Sequence, residues 1–156
     1  MNSKPLTKKF ACPKFITLAL LATIVLIAAT ACGHVGIGRK KPADAEFGLG
    51  PRQSAAGLYT ATLQPQAALR THALQTVAVT IRDAAGHPVE GASISVDGGM
   101  PQHGHGLPTK PRVVRTLAGG VYEIEGVRFN MGGWWEFRLA IDGSPGADRV
   151  TFNLAL

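Results

Sequence analysis

Cysteine is scarce: the 156 residues contain two, Cys12 and Cys32, both in the first 32 positions. No disulfide can brace anything downstream, so the remaining hundred or so residues must hold together by their own core. Acidic residues are missing from positions 1–31, and charge of either sign is missing from Phe15 to Ala31. A charge excess is missing after Gly57 as well, where eight Lys/Arg balance eight Asp/Glu. The formal net charge of +6 therefore comes from Lys4, Lys8, Lys9 and Lys14, with Arg39, Lys40, Lys41 and Arg52 set against Asp44 and Glu46. No basic face is left for phosphates, which excludes a nucleic-acid partner. No Ser-His-Asp order, paired carboxylates or phosphate loop stands out, and the expectation is a protein that is not an enzyme.

The N-terminus carries four lysines, then the seventeen uncharged residues, then Ala29-Thr30-Ala31 directly before Cys32. A basic start, an apolar run and small residues at its end make an export signal. The last stretch resembles the lipobox of bacterial lipoproteins, with Ala29 where leucine is usual. That resemblance implies cleavage before Cys32 and a lipid on Cys32, which would tie the protein to a membrane. Two alternatives stay open: an uncleaved transmembrane helix, for which seventeen residues is short, and ordinary secretory cleavage that leaves Cys32 free. All three place the rest of the chain outside the cytoplasm, in the bacterial envelope, facing the periplasm. Residues 1–31 thus read as signal peptide or anchor helix. Residues 32–56, rich in Gly, Pro, Ala and charge, read as a flexible tether whose cations would touch anionic lipid weakly.

From Gly57 the pattern becomes period two, and no helical periodicity follows. Leu58–Leu63, Leu74–Ile81, Ala92–Val96, Arg112–Leu117, Val121–Glu125, Trp134–Ile141 and Val150–Leu154 each read as a strand. Val77, Val79 and Ile81 share one face, as do Trp135, Phe137, Leu139 and Ile141. Trp135 therefore belongs to the core, and Trp134 points to the opposite face. Gly119-Gly120 joins the fourth and fifth strands as a hairpin, and residues 83–88 form a turn. About seven short strands separated by Gly/Pro turns define an all-β, immunoglobulin-like antiparallel β-sandwich over residues 57–156.

Strand building does not account for Gly98–Pro108, which contains Met100, His103 and His105. Two imidazoles two residues apart project to the same side of an extended chain, and glycine lets the chain bend around a small object. Apart from Met1, the sequence has only Met100 and Met131. Thioethers favour Cu(I), and imidazole accepts copper or zinc; a mixed His/Met set outside the cytoplasm argues for copper. The candidate metal ligands are His103, His105, Met100 and Met131. Each has a plain structural alternative: solvated turn histidines, and methionines that fill core gaps. His72 before the second strand is a weaker candidate, His87 reads as a turn residue and His34 lies in the tether.

From Leu58 to Leu156 the chain resembles the YtkA-like domain, related to FixH-like proteins of the bacterial envelope. The resemblance is carried by Gly86-His87-Pro88-Val89-Glu90-Gly91-Ala92, by Met100-Pro101-Gln102-His103-Gly104-His105-Gly106 and by Phe129-Asn130-Met131-Gly132-Gly133-Trp134-Trp135. It implies a small extracytoplasmic β-sandwich, often membrane-anchored, and, through the FixH-like relatives, a link to copper. It supplies no catalytic residue. The resulting expectation is an envelope-anchored, non-enzymatic binding lipoprotein that handles copper, with the membrane and an envelope protein as partners. Its rival is an interaction lipoprotein without metal.

Overall fold

The structure, a computed structural model, describes residues 39–156; the signal segment, Cys32 and His34 lie outside the described residues. Nine strands follow a single turn of 3-10 helix at Asp44–Glu46. They are β1 (Arg52–Gln53), β2 (Tyr59–Pro65), β3 (Gln75–Asp83), β4 (Ser93–Met100), β5 (His105–Gly106), β6 (Arg112–Leu117), β7 (Val121–Val127), β8 (Trp134–Gly143) and β9 (Gly146–Ala155). Each of the seven expected strands is present, and β1 and β5 are two-residue additions. The all-β antiparallel expectation holds, and no helix follows residue 57.

The spatial order is β1-β2-β3-β7-β6-β4-β8-β9, with β5 on β4. One sheet thus folds over on itself into a nearly closed, barrel-like sandwich. Its two halves meet between β6 and β4 through the single pair Ser95↔Arg112. The inward faces follow the period-two reading. Val77, Val79 and Ile81 of β3 face Phe137, Leu139 and Ile141 of β8 in one core, with Tyr59, Tyr122, Trp135 and Phe152 fully enclosed. Burying each such aromatic contributes about 1.5–3 kcal/mol or more over leaving it in water.

Turn chemistry matches the sequence at two places. Gly119 and Gly120 both take the left-handed backbone. A Cβ on Gly120 would lie 2.5 Å from the Ile81 carbonyl oxygen, so glycine is required there by space as well as by φ. The Asp83 carboxylate accepts from the backbone N–H groups of Ala85 and His87, each at 2.9 Å, and lies 3.3 Å from His87 Nδ1. The Asp83 pKa is lowered, first by the His87 N–H. His87 is therefore part of the turn. Behind it, the Tyr122 hydroxyl donates to the Val89 carbonyl at 2.8 Å and accepts from Ala92 N–H at 2.9 Å.

The segment read as a tether differs from expectation in its second half. Gly48 N–H donates to the Asn153 carbonyl at 2.9 Å, Leu63 N–H to the Leu49 carbonyl at 2.7 Å, and Ala55 N–H to the Arg149 carbonyl at 2.9 Å. Residues 47–55 run antiparallel to β2 and pair in parallel with β9 at Phe47↔Asn153. They fill the seam between the two edge strands and satisfy backbone groups that would otherwise stand open. Asp148 locks this seam. Its carboxylate accepts from Ala56 N–H at 3.1 and 3.0 Å, from Leu58 N–H at 3.3 Å and from Arg149 N–H at 2.7 Å.

Candidate functional site

The antiparallel order collects three loops at one end of the barrel: residues 66–74 between β2 and β3, 101–111 around β5, and 128–133 between β7 and β8. All four predicted ligands lie at that end. After Met100 the chain turns at once: the N–H groups of His103 and Gly104 both donate to the Met100 carbonyl, at 3.0 and 2.9 Å. It then returns as β5, with His105 opposite Met100 and Gly106 opposite Gly99. Directly opposed residues share a face of the ladder, so the Met100 and His105 side chains start on one side. His105 stays exposed because β5 has no neighbour other than β4. The His103 and His105 rings are both exposed, with centroids 6.1 Å apart and planes within 4°.

The glycines before Met100 serve a different purpose from the one the sequence suggested. A Cβ on Gly99 would lie 2.5 Å from the His105 carbonyl oxygen, and one on Gly98 would lie 2.8 Å from the Glu136 carbonyl oxygen. Both glycines are buried and exist for close strand approach; they do not wrap a ligand. Gly99→Ala should therefore lift β5 off β4, at about 1–3 kcal/mol for overpacking. Urea unfolding checks the cost, and a change below about 0.5 kcal/mol would show that β5 is not held at this spacing.

The two methionines differ. Met100 is 2 % exposed and belongs to the core, its Cε packed 3.1 Å from where a Gly133 side chain would begin. Met131 is 38 % exposed, on the bend that Met100 supports from below. Its carbonyl accepts from Trp135 Nε1 at 3.0 Å, which fixes the bend to the core. Asn130, beside it, has a buried Oδ1 with no partner among the described residues. His72 joins the same end: its N–H donates to the Phe129 carbonyl at 2.6 Å, and its φ is +61° with the ring exposed.

Among the described residues no three of His, Cys, Asp and Glu gather as a metal cluster. The donors at this end are imidazole, which accepts copper or zinc, and thioether, which favours Cu(I).

Trp134, on the outer face of β8, is 5 % exposed, and its Nε1 donates to Asn153 Oδ1 at 3.0 Å. It is a covered structural residue, with no groove left at its face to act as an anchor. Two residues along the same strand, Glu136 accepts from Arg39 Nη1 at 2.8 Å and from Arg138 Nη1 at 3.0 Å. Sequence reasoning missed Glu136 and Asn153, because inward and outward positions look alike on a strand whose outer face is covered.

The fold and this end together define a small antiparallel β-barrel-like sandwich with a His/Met-bearing loop cluster at one pole. The YtkA-like family model matches residues 53–140, and the chain belongs to the YtkA-like family. The match begins in β1 and stops within β8, although the rest of β8 and all of β9 complete the same sheet. No curated protein and no solved structure matches the chain.

Proposed function

We propose that this protein is an envelope-anchored, non-enzymatic module that binds copper at the His103–His105 turn. In this reading Met131 supplies a thioether from the neighbouring bend, and Met100 adds a second after a rotamer change. The lipid on Cys32 holds the module to the membrane, on the periplasmic side, where an envelope protein would give or take the metal. The observation that carries it is the exposed, near-parallel imidazole pair. The ring centroids lie 6.1 Å apart, close enough for both to serve one ion once the exposed rings turn so that their in-plane lone pairs converge. The alternative, an interaction lipoprotein without metal, is favoured by the burial of Met100, which as it stands only packs.

Copper titration separates the two. The His103→Ala, His105→Ala double variant should keep its fold, since both rings lie outside the core. It should lose most copper binding. Imidazoles bind only when neutral and thioethers do not protonate, so acidification should strip Cu(II) more completely than Cu(I). Met131→Leu should weaken Cu(I) alone while preserving volume. No Cu(I) binding tighter than about micromolar in the wild type (about −8 kcal/mol), or unchanged binding in the double variant, leaves the turn as shape and selects the interaction reading.

A further inference from the structure

The pole that carries the histidines also concentrates two other properties. Four large apolar side chains are exposed among the described residues: Leu49, Leu74, Leu117 and Met131. Leu74, 69 % exposed, and Met131 sit in the loops at this pole, and Leu49 lies on the strip beside it; Leu117 alone belongs to the opposite end. Between Leu49 and the loop after β2 runs an open groove of about 500 Å³, lined chiefly by Phe47, Leu49, Pro65, Leu69, Leu154 and Leu156. The three loops at this pole hold Arg70, Lys110 and Arg128, all exposed, and not one Asp or Glu. The opposite end carries Asp83, Glu90, Asp142 and Asp148 at or beside its turns. That end also holds the exposed Arg82 and Arg149, so the contrast lies in the loops: those at the histidine pole carry cations and no acid, while the opposite end has an acidic excess.

We propose that this pole rests on an anionic lipid bilayer, with Leu74 and Leu49 entering the headgroup boundary and Arg70, Lys110 and Arg128 meeting lipid phosphates. Apolar insertion combined with cationic contact is how proteins lie on anionic membranes. The inference rests on the reading that Cys32 anchors the chain. Six residues separate Cys32 from Arg39, at most about 25 Å of extended chain, and Arg39 is paired with Glu136 near the start of β8, at this same pole. The anchor therefore keeps this end within reach of the bilayer. The strip from Arg39 to Phe47 adds three cations against Asp44 and Glu46. The exposed leucines, the cations in the loops beside them and the short link to the proposed lipid anchor together favour a bilayer over a soluble partner.

The test uses the full chain purified from membranes and reconstituted into vesicles of phosphatidylcholine, with or without phosphatidylglycerol. Flotation reports the anchor, and amide hydrogen exchange reports the docking. With phosphatidylglycerol present, loops 66–74, 101–111 and 128–133 should exchange at least about threefold more slowly. The turns at 84–92 and 118–120 should not change. Leu74→Glu combined with Arg128→Glu should remove the protection while the protein still floats. Equal exchange on both vesicle types in a chain that floats overturns the docking and leaves the anchor standing. Protection at both ends of the barrel overturns it as well. A chain that does not float overturns the anchor and the docking together.

Discussion

Replacing Trp135 with alanine is expected to be the most damaging single change in the chain, at about 3–5 kcal/mol for a fully enclosed aromatic. Trp135 is 0 % exposed and meets Phe129 edge-on, with ring centroids 5.2 Å apart at 69°. Such pairs add about 0.5–1.5 kcal/mol beyond their area. The indole also holds the Met131 carbonyl, so its loss frees the bend as well as opening the core. A barrel of this size has roughly 5–15 kcal/mol in total, and the variant should unfold at a much lower urea concentration. Trp134→Phe is the control: it keeps the aromatic body on the outer face and removes only the bond to Asn153 Oδ1. It should cost about 1–3 kcal/mol, the penalty for an unpaired buried acceptor. A Trp135→Ala loss under about 1 kcal/mol would mean that the core is organised around other residues.

What the sequence could and could not announce follows from where each signal resides. The faces of β3 and β8 were legible because alternation of Val77, Val79, Ile81 and of Trp135, Phe137, Leu139, Ile141 is a side-chain pattern, and burial follows it residue by residue. The gathering of Met100, His103, His105 and Met131 at one pole follows from antiparallel order, which puts the ends of β4 and β7 and the start of β8 together. The seam was not legible. Residues 47–55 are held almost entirely by backbone hydrogen bonds, and a Gly/Pro-rich segment of that kind has the composition of a free tether. Gly98 and Gly99 were misread for a related reason. A glycine needed for close strand approach and a glycine needed to bend around a ligand are the same letter, and only the position of β5 tells them apart.

Asp148 is where that seam can be broken with one substitution, and pH should break it in the same way. The Ser54 hydroxyl is the largest influence that lowers the carboxyl; burial opposes it, and the N–H groups of Arg149, Ala56 and Leu58 assist. The balance holds Asp148 at about 2, against 3.8 for a free aspartate. A pKa lowered in the folded state means that the unfolded chain takes up the proton first. The stabilisation is therefore fully present above the unfolded value near 4 and is lost as the pH falls from about 4 through 2. Asp148→Asn keeps the size and removes the charge, and one carboxylate acceptor becomes a donor facing other donors. It should lower the melting temperature at neutral pH, and it should flatten the acid limb of the stability profile, because nothing is left there to titrate. Opening should begin at residues 54–58, which lose one of the two carboxylate oxygens that hold Ala56 N–H and Leu58 N–H, so their amides should exchange faster while those of β3 and β7 do not. If Asp148→Asn shows the same decline between pH 4 and 2 as the wild type, the acid sensitivity belongs to other carboxylates, Asp83 and Asp97 first, since hydrogen bonds also depress their pKa values.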